Sequence, residues 1–167
     1  MTESLEVGQS TGTCSALRIA KVSLDNKKKV FETLAGQLAD AVKRSTGISI
    51  NEILLKLLER ERLGSTVIGN GLAIPHARTD KLSQAKGALL ILNEPVEFDG
   101  AKHGPVSVVF GLIIPEAQCE AHIDHLREIA SLAQNETTMH ILSHTNDTEV
   151  LSEWLKKKHP QLANLLQ

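Results

Sequence analysis

The sequence predicts an α/β sandwich in a single domain, with a central mixed β-sheet flanked by helices on both faces. Three observations lead there. The first part of the chain has helical periodicity, the middle has short or continuous apolar runs, and helical periodicity returns after Pro115. The length of 167 residues suits one domain with one substantial core. With 41% apolar and 23% charged residues, the composition is that of an ordinary globular domain.

The elements follow in order. Residues 1–16 are rich in Ser, Thr and Gly and have no periodicity, so they read as a disordered or added tail, leaving 17–167 as the domain. Val22-Ser23-Leu24 is a short strand candidate. Asp25 or Asn26 then caps a helix whose apolar set is Val30, Phe31, Leu34, Leu38, Ala41 and Val42, running through Arg44, with Gly47 as the stop. Ser49 and Glu52 form a capping box for a second helix bearing Ile53, Leu54, Leu57 and Leu58 and ending at Leu63-Gly64. Val67-Ile68 and Leu72–Ile74 are strand segments. Ala88–Leu92 and Val106–Ile114 are continuous apolar runs suited to strands buried on both faces, with Asn93-Glu94-Pro95 ending the first and Pro115 the second. Asp99-Gly100 marks a turn. Helices are expected over about 117–134, 137–143 and 147–158, the last with Asp147 at its start and three lysines at its end, as the helix dipole favours. Leu162, Leu165 and Leu166 read as exposed apolar residues that would support a dimer.

Composition excludes several functions. With no Tyr, one Trp and three Phe there are too few rings for base stacking, and a net charge of -2 gives no nucleic-acid footprint. No apolar run is long enough for a membrane span, and the N-terminus lacks a signal-peptide pattern. Cys14 and Cys119 are too far apart in sequence to suggest a disulfide framework. These features point to the cytoplasm.

The chemistry concentrates in Gly64–Arg78. Pro75 has a fixed φ and biases Ile74 toward extended backbone, stiffening the chain at His76. Imidazole is largely neutral near pH 7 and can act as a nucleophile. The Gly-x-Gly around Asn70 suggests a place where backbone N–H groups meet an anion. Two readings of His76 stand side by side: a nucleophile, or a structural histidine bonded to a backbone carbonyl. Arg60 and Arg62 reach the same segment from the preceding helix, and guanidinium matches phosphate. His122 opens the helix after Pro115, with His125 one turn on. His76, His122 and His125 as a zinc set, and His140 with His144 as a chelating pair, are weaker alternatives because no carboxylate completes either set. His103 reads as an exposed loop residue and His159 as a solvated charge past a helix end. No dinucleotide fingerprint, Walker lysine or nucleophile elbow is present, and Cys119 reads as a small apolar side chain.

Gly64-Ser65-Thr66 followed by Ile68-Gly69-Asn70-Gly71-Leu72-Ala73-Ile74-Pro75-His76 resembles the phosphorylation-site segment of the enzyme IIA proteins of the fructose/mannitol class, which belong to the phosphoenolpyruvate-dependent phosphotransferase system. The Gly-Asn-Gly form is similar to the nitrogen-regulatory branch. The resemblance runs from about Val22 to Trp154 and includes Arg60-Glu61 before Gly-Ser-Thr and His122-Ile123-x-x-Leu126 downstream.

The resemblance implies a phosphotransferase component that carries phosphate stoichiometrically rather than an independent catalyst. His76 would accept a phosphoryl group, at Nε2, from an HPr-type histidine phosphocarrier supplied by enzyme I. His122 would donate a hydrogen bond to the phosphoryl oxygens and Arg60 would stabilise their charge, with Ser65, Thr66 and Asn70 in support. No cofactor and no metal are implied. The docking surface is expected to be apolar with few charges. The phosphorylation state would control partners such as potassium transporters or sensor kinases. Sugar-transport members often carry glutamate where this chain has Asn70, which would remove a carboxylate able to orient the imidazole. Two other functions compete: a sugar-specific enzyme IIA serving a permease, and a binding module that no longer uses phosphorylation.

Overall fold

The computed structural model describes residues 17–42, 46–100 and 102–167. The 1–16 tail and Arg44 therefore lie outside the described residues. The first strand, β1, is Ile19–Val22, a few residues before the expected one. Helix α1 (Lys27–Ala41) starts at Asn26, whose side chain accepts the Lys29 N–H at 2.9 Å. Helix α2 (Ile50–Leu63) starts at Ser49, whose Oγ accepts the Glu52 N–H at 3.1 Å. The return half of that capping box is not used, because the Glu52 carboxylate pairs with Lys81 at 3.0 Å instead.

Three more short strands precede the two long ones at the sheet centre. Strands β2 (Val67–Gly69) and β3 (Leu72–Ala73) form a hairpin, and β4 (His76–Thr79) follows after Ile74-Pro75. Strand β5 spans Lys86–Glu97 and β6 spans Pro105–Pro115. The sheet order is β1-β5-β6-β3-β2, with β4 also paired to β6. β1 lies parallel to β5, β5 antiparallel to β6, and β3 and β4 both parallel to β6, so the sheet is mixed as expected. β5 does not end at Leu92. It continues through Asn93-Glu94-Pro95 by a register shift between Ile91 and Val96, which accommodates the proline that the sequence marks as a stop.

The other face is helical. A 3₁₀ turn (Glu116–Gln118) leads into α3 (Cys119–Leu132), then α4 (Glu136–His144), α5 (Thr148–Lys158) and α6 (Pro160–Leu165). Asn135 and Asp147 cap α4 and α5 with their side chains. Alternation along β6 separates the two layers. Val108, Phe110, Leu112 and Ile114 join the core under α3–α6, and Val109 and Ile113 join the core under α1 and α2. Gly111 lies on the α1 side, where a Cβ would sit only 2.3 Å from Leu34 Cδ1, so the close approach of α1 needs a glycine there.

Helix α6 corrects one expectation. Leu162, Leu165 and Leu166 are buried in the core under α3–α6 rather than exposed, so these three residues offer no surface to a second copy. The end of the chain is held by Arg18, whose backbone N–H donates to Leu166 O at 2.7 Å and whose guanidinium reaches the carbonyls of Gly87, Leu166 and Gln167. No helix among the described residues is long and apolar enough to cross a membrane.

Candidate functional site

His76 begins β4, immediately after the one residue in that stretch with no N–H to give. β3 and β4 keep a common register against β6 across Pro75, with Ala73 opposite Val109 and His76 opposite Leu112. The proline carbonyl still accepts from Leu112 N at 3.0 Å, so only the proline's own donor is missing from the ladder. The half-buried His76 ring turns back on this break, and its Nδ1 lies 2.9 Å from Ile74 O. A carbonyl only accepts, so Nδ1 carries the proton. In the neutral ring the lone pair is then on Nε2. The two sequence readings of His76 thus fall on the two nitrogens of one ring: Nδ1 is bonded to backbone, and Nε2 carries the lone pair.

Electrostatics keep that ring neutral. Burial pushes the His76 pKa below its ordinary value of 6.5, and the Arg60 and Arg78 charges push the same way. The bond to Ile74 O and the Glu61 charge oppose them without reversing the sign.

Two cavities meet at His76. The larger, about 710 Å³, is lined by Lys56, Glu59, Arg60, Arg62 and Leu63 of α2 and by His76, Ala77 and Arg78 of β4. Four cationic side chains face one carboxylate there, an arrangement that suits an anion. The smaller, about 20 Å³, lies between His76, Arg78, Ile114, Pro115 and the α3 residues His122, Ile123 and Leu126. His76 therefore shares one cavity with Arg60 and the other with His122, which come from helices on opposite faces of the sheet.

His122 is only 5% exposed, and both of its ring nitrogens are buried with no hydrogen-bond partner among the described residues. Burial lowers its pKa, helped by the charge of Arg78 and by the neighbouring His125, whose ring centroid is 5.7 Å away. A buried imidazole without partners is costly unless a ligand supplies them.

Arg78 is a residue that sequence reasoning missed. It stands two positions after His76, on the same face of β4, lines both cavities, and its charge acts on both His76 and His122. The signal available in the sequence was this period-two relation to His76. Arg60 is held by one bond, from Nη1 to Gly64 O at 2.9 Å.

Ser65, Thr66 and Asn70 are not among the residues lining either cavity. Ser65 Oγ accepts from Val67 N at 3.2 Å. Thr66 is buried and its hydroxyl donates to Glu61 Oε1 at 2.6 Å. Asn70 and Gly71 both have positive φ, 52° and 87°, the signature of a tight two-residue hairpin turn, and the Asn70 amide donates to Ala133 O at 2.8 Å. None of these three side chains lines a cavity at His76, and Asn70 and Gly71 form the turn of the β2–β3 hairpin.

The surface around the two cavities mixes apolar and charged residues. Leu63, 85% exposed, and Ile123, 44% exposed, supply apolar surface at the two cavities, but the larger one is strongly cationic. His103 is exposed in its turn, as expected, and pairs with Asp99 at 2.5 Å, a bond that holds the Asp99 pKa below the usual carboxylate range. His140 and His144 stack on each other at 4.1 Å, and among the described residues no group of three or more His, Cys, Asp or Glu side chains is arranged to hold a metal ion. His159 lies at the α5–α6 junction with its ring 5.4 Å from Trp154.

Comparisons with known proteins agree with this architecture. The sequence model of a family described as "Phosphoenolpyruvate-dependent sugar phosphotransferase system, EIIA 2" matches residues 15–158. A protein of Pseudomonas aeruginosa named "Nitrogen regulatory protein" is 40% identical over 107 residues, covering 64% of this chain and 68% of that protein. The crystal structure of nitrogen regulatory protein IIA-Ntr from Neisseria meningitidis superposes with a TM-score of 0.73 at 32% identity, covering 80% of this chain and 90% of that one. The IIA mannitol structure from Escherichia coli shares the fold, with a TM-score of 0.66 at 22% identity over 80% of this chain and 93% of that one.

Proposed function

This chain belongs to the EIIA 2 family of the phosphoenolpyruvate-dependent sugar phosphotransferase system, and from that premise we propose that it is a regulatory phosphocarrier whose acceptor atom is His76 Nε2. The donor is an HPr-type histidine phosphocarrier, itself charged through enzyme I. The similarity to proteins named nitrogen regulatory favours the regulatory branch over delivery to a sugar permease.

The observation that carries the reading is the bond from Nδ1 to Ile74 O, made beside a cation-lined cavity. Nε2 presents its lone pair to the phosphorus of the carrier's phosphohistidine. The new P–N bond forms as the old one breaks, and the electron pair of the broken bond returns to the carrier's imidazole. His76 keeps its Nδ1 proton throughout, shared with Ile74 O, so no base is needed to activate the ring. Phosphoryl transfer depends chiefly on positioning and on charge stabilisation at the equatorial oxygens. Arg60 and Arg78 supply that charge. His122 donates one hydrogen bond to a phosphoryl oxygen, which gives a partner to a ring nitrogen that otherwise has none.

Addition of about two negative charges to a cationic cavity bordered by exposed Leu63 changes which surfaces dock there. That change is the regulatory output of the carrier.

The test is incubation with phosphoenolpyruvate, enzyme I and an HPr-type carrier. One acid-labile, base-stable phosphoryl group is expected on the wild type and none on His76→Ala. Phosphate retained by a folded His76→Ala protein overturns the assignment.

A further inference from the structure

Among the described residues, Glu61 is a buried carboxylate beside the site that the transfer chemistry does not use. It directly follows Arg60 on α2, so the two side chains diverge: Arg60 lines the large cavity and Glu61 turns inward, its side chain only 7% exposed. A buried carboxylate is stable only when well partnered. Glu61 takes Lys27 Nζ at 3.0 Å, the Thr66 hydroxyl at 2.6 Å and, at 3.5 Å, the Thr66 N–H. Lys27 is itself held, with its ammonium 5.7 Å and 5.5 Å from the ring centroids of Phe31 and Phe98.

The chain of bonds continues beyond Thr66. Its carbonyl accepts the Ile74 N–H at 2.9 Å, and the Ile74 carbonyl accepts His76 Nδ1–H at 2.9 Å. Four consecutive links therefore run from the start of α1 to the nucleophile's ring. Resting on the reading of His76 as phosphoryl acceptor, we propose that Glu61 and Thr66 are positioning residues that set the tautomer and orientation of His76 through the Ile74 carbonyl. Lys27 anchors the carboxylate, and neither Glu61 nor Thr66 touches the phosphoryl group. A carboxylate thus orients the imidazole after all, indirectly, from α2 rather than from the hairpin position occupied by Asn70.

The reason this matters is the ring's two tautomers. Only the form with its proton on Nδ1 offers the Nε2 lone pair, and the apparent rate scales with the population of that form. Displacing the Ile74 carbonyl by even a fraction of an ångström weakens the bond that selects it. Loss of such an outer partner slows the reaction roughly tenfold. Electrostatics provide an independent sign: the Glu61 charge raises the His76 pKa, so neutralising it lowers that pKa.

The experiment uses the full chain with ¹⁵N-labelled histidine. In the wild type the His76 ring nitrogens are expected to show a single tautomer with Nδ1 protonated. Thr66→Val and Glu61→Gln are expected to give a mixture of tautomers and roughly tenfold slower phosphorylation by the carrier, and Glu61→Gln to move the His76 titration to lower pH. Thr66→Ser, which keeps the hydroxyl, is expected to restore both tautomer and rate. The proposal is overturned if Thr66→Val leaves the tautomer and the rate unchanged, or if Thr66→Ser is as impaired as Thr66→Val. The Val/Ser pair decides the matter even if Glu61→Gln does not fold. The ring signals need no transfer, so they test this inference even where a phosphorylated His76→Ala has overturned the underlying reading.

Discussion

The two ends of the segment Gly69–Arg78 belong to one continuous motif and do different things. At the first end, Gly69-Asn70-Gly71 turns the β2–β3 hairpin. Asn70 is tied to Ala133 at the end of α3, and the Gly71 carbonyl accepts from Ser107 and Val108. These bonds are structural, and no titratable side chain is involved. At the second end, Pro75 interrupts the ladder without disturbing its register, and His76 bonds one ring nitrogen to backbone while lining a cationic cavity. A long motif therefore mixes scaffold with chemistry, and hydrogen bonds that end inside the protein separate the two.

That contrast can be broken by substitution, and the effects should fall in order. His76→Ala is expected to abolish phosphoryl uptake entirely while the protein still melts cooperatively, checked by intact mass and calorimetry. Next come the two arginines. Arg60→Ala and Arg78→Ala are each expected to slow transfer by about a hundredfold, the usual cost of a lost electrostatic contact to a transition state. Arg78→Ala should also raise the His76 pKa, because a nearby cation disfavours the protonated ring and its removal relieves that. A titration followed by NMR reads this directly. If Arg78→Ala leaves the His76 midpoint in place, its charge is not aimed at the ring.

His122→Gln is expected to fold and to slow transfer by about tenfold, since only one hydrogen bond is lost. A normal rate would show that the buried ring is structural. In the wild type, uptake should hold steady as pH falls to 6.5 and decline only below it. The sign follows from the lowered His76 pKa: the ring stays neutral, with its lone pair available, down to that lower value. The smallest effect on chemistry belongs to the hairpin. Asn70→Ala places a Cβ-bearing residue without a side-chain amide at a φ of 52°, and is expected to cost about 1–2 kcal/mol of stability with transfer nearly intact. Slow transfer by a fully stable Asn70→Ala protein would return Asn70 to the site.

How legible this was from sequence depends on whether a feature is local. The caps at Asn26 and Ser49 need only neighbouring residues to be recognised, and the run Val106–Ile114 declares a strand covered on both faces. Burial of Leu162, Leu165 and Leu166 depends on the six-residue α6 folding back onto α3, α5 and the sheet, which no local pattern states. Strand β5 continues past Pro95 because a register shift absorbs it, again a property of the partner strand. At the site, His76, Arg60 and His122 carried recognisable side-chain chemistry. The tautomer of His76 is set by a backbone carbonyl, which has no signature of its own. Thr66 was read as a hydroxyl available to a ligand because its acceptor, Glu61, looks like one more charge in a Glu/Arg-rich helix end.

The clamp made by Arg18 has a consequence for how this domain can be carried. Arg18 and Leu166 are joined by a hydrogen bond between Arg18 N and Leu166 O. A short connector from Gln167 to Leu17 would close residues 17–167 into a ring without moving the sheet. The same closeness lets the whole unit be spliced into a loop of some larger host, entering and leaving at nearly one point while His76 stays open to visitors.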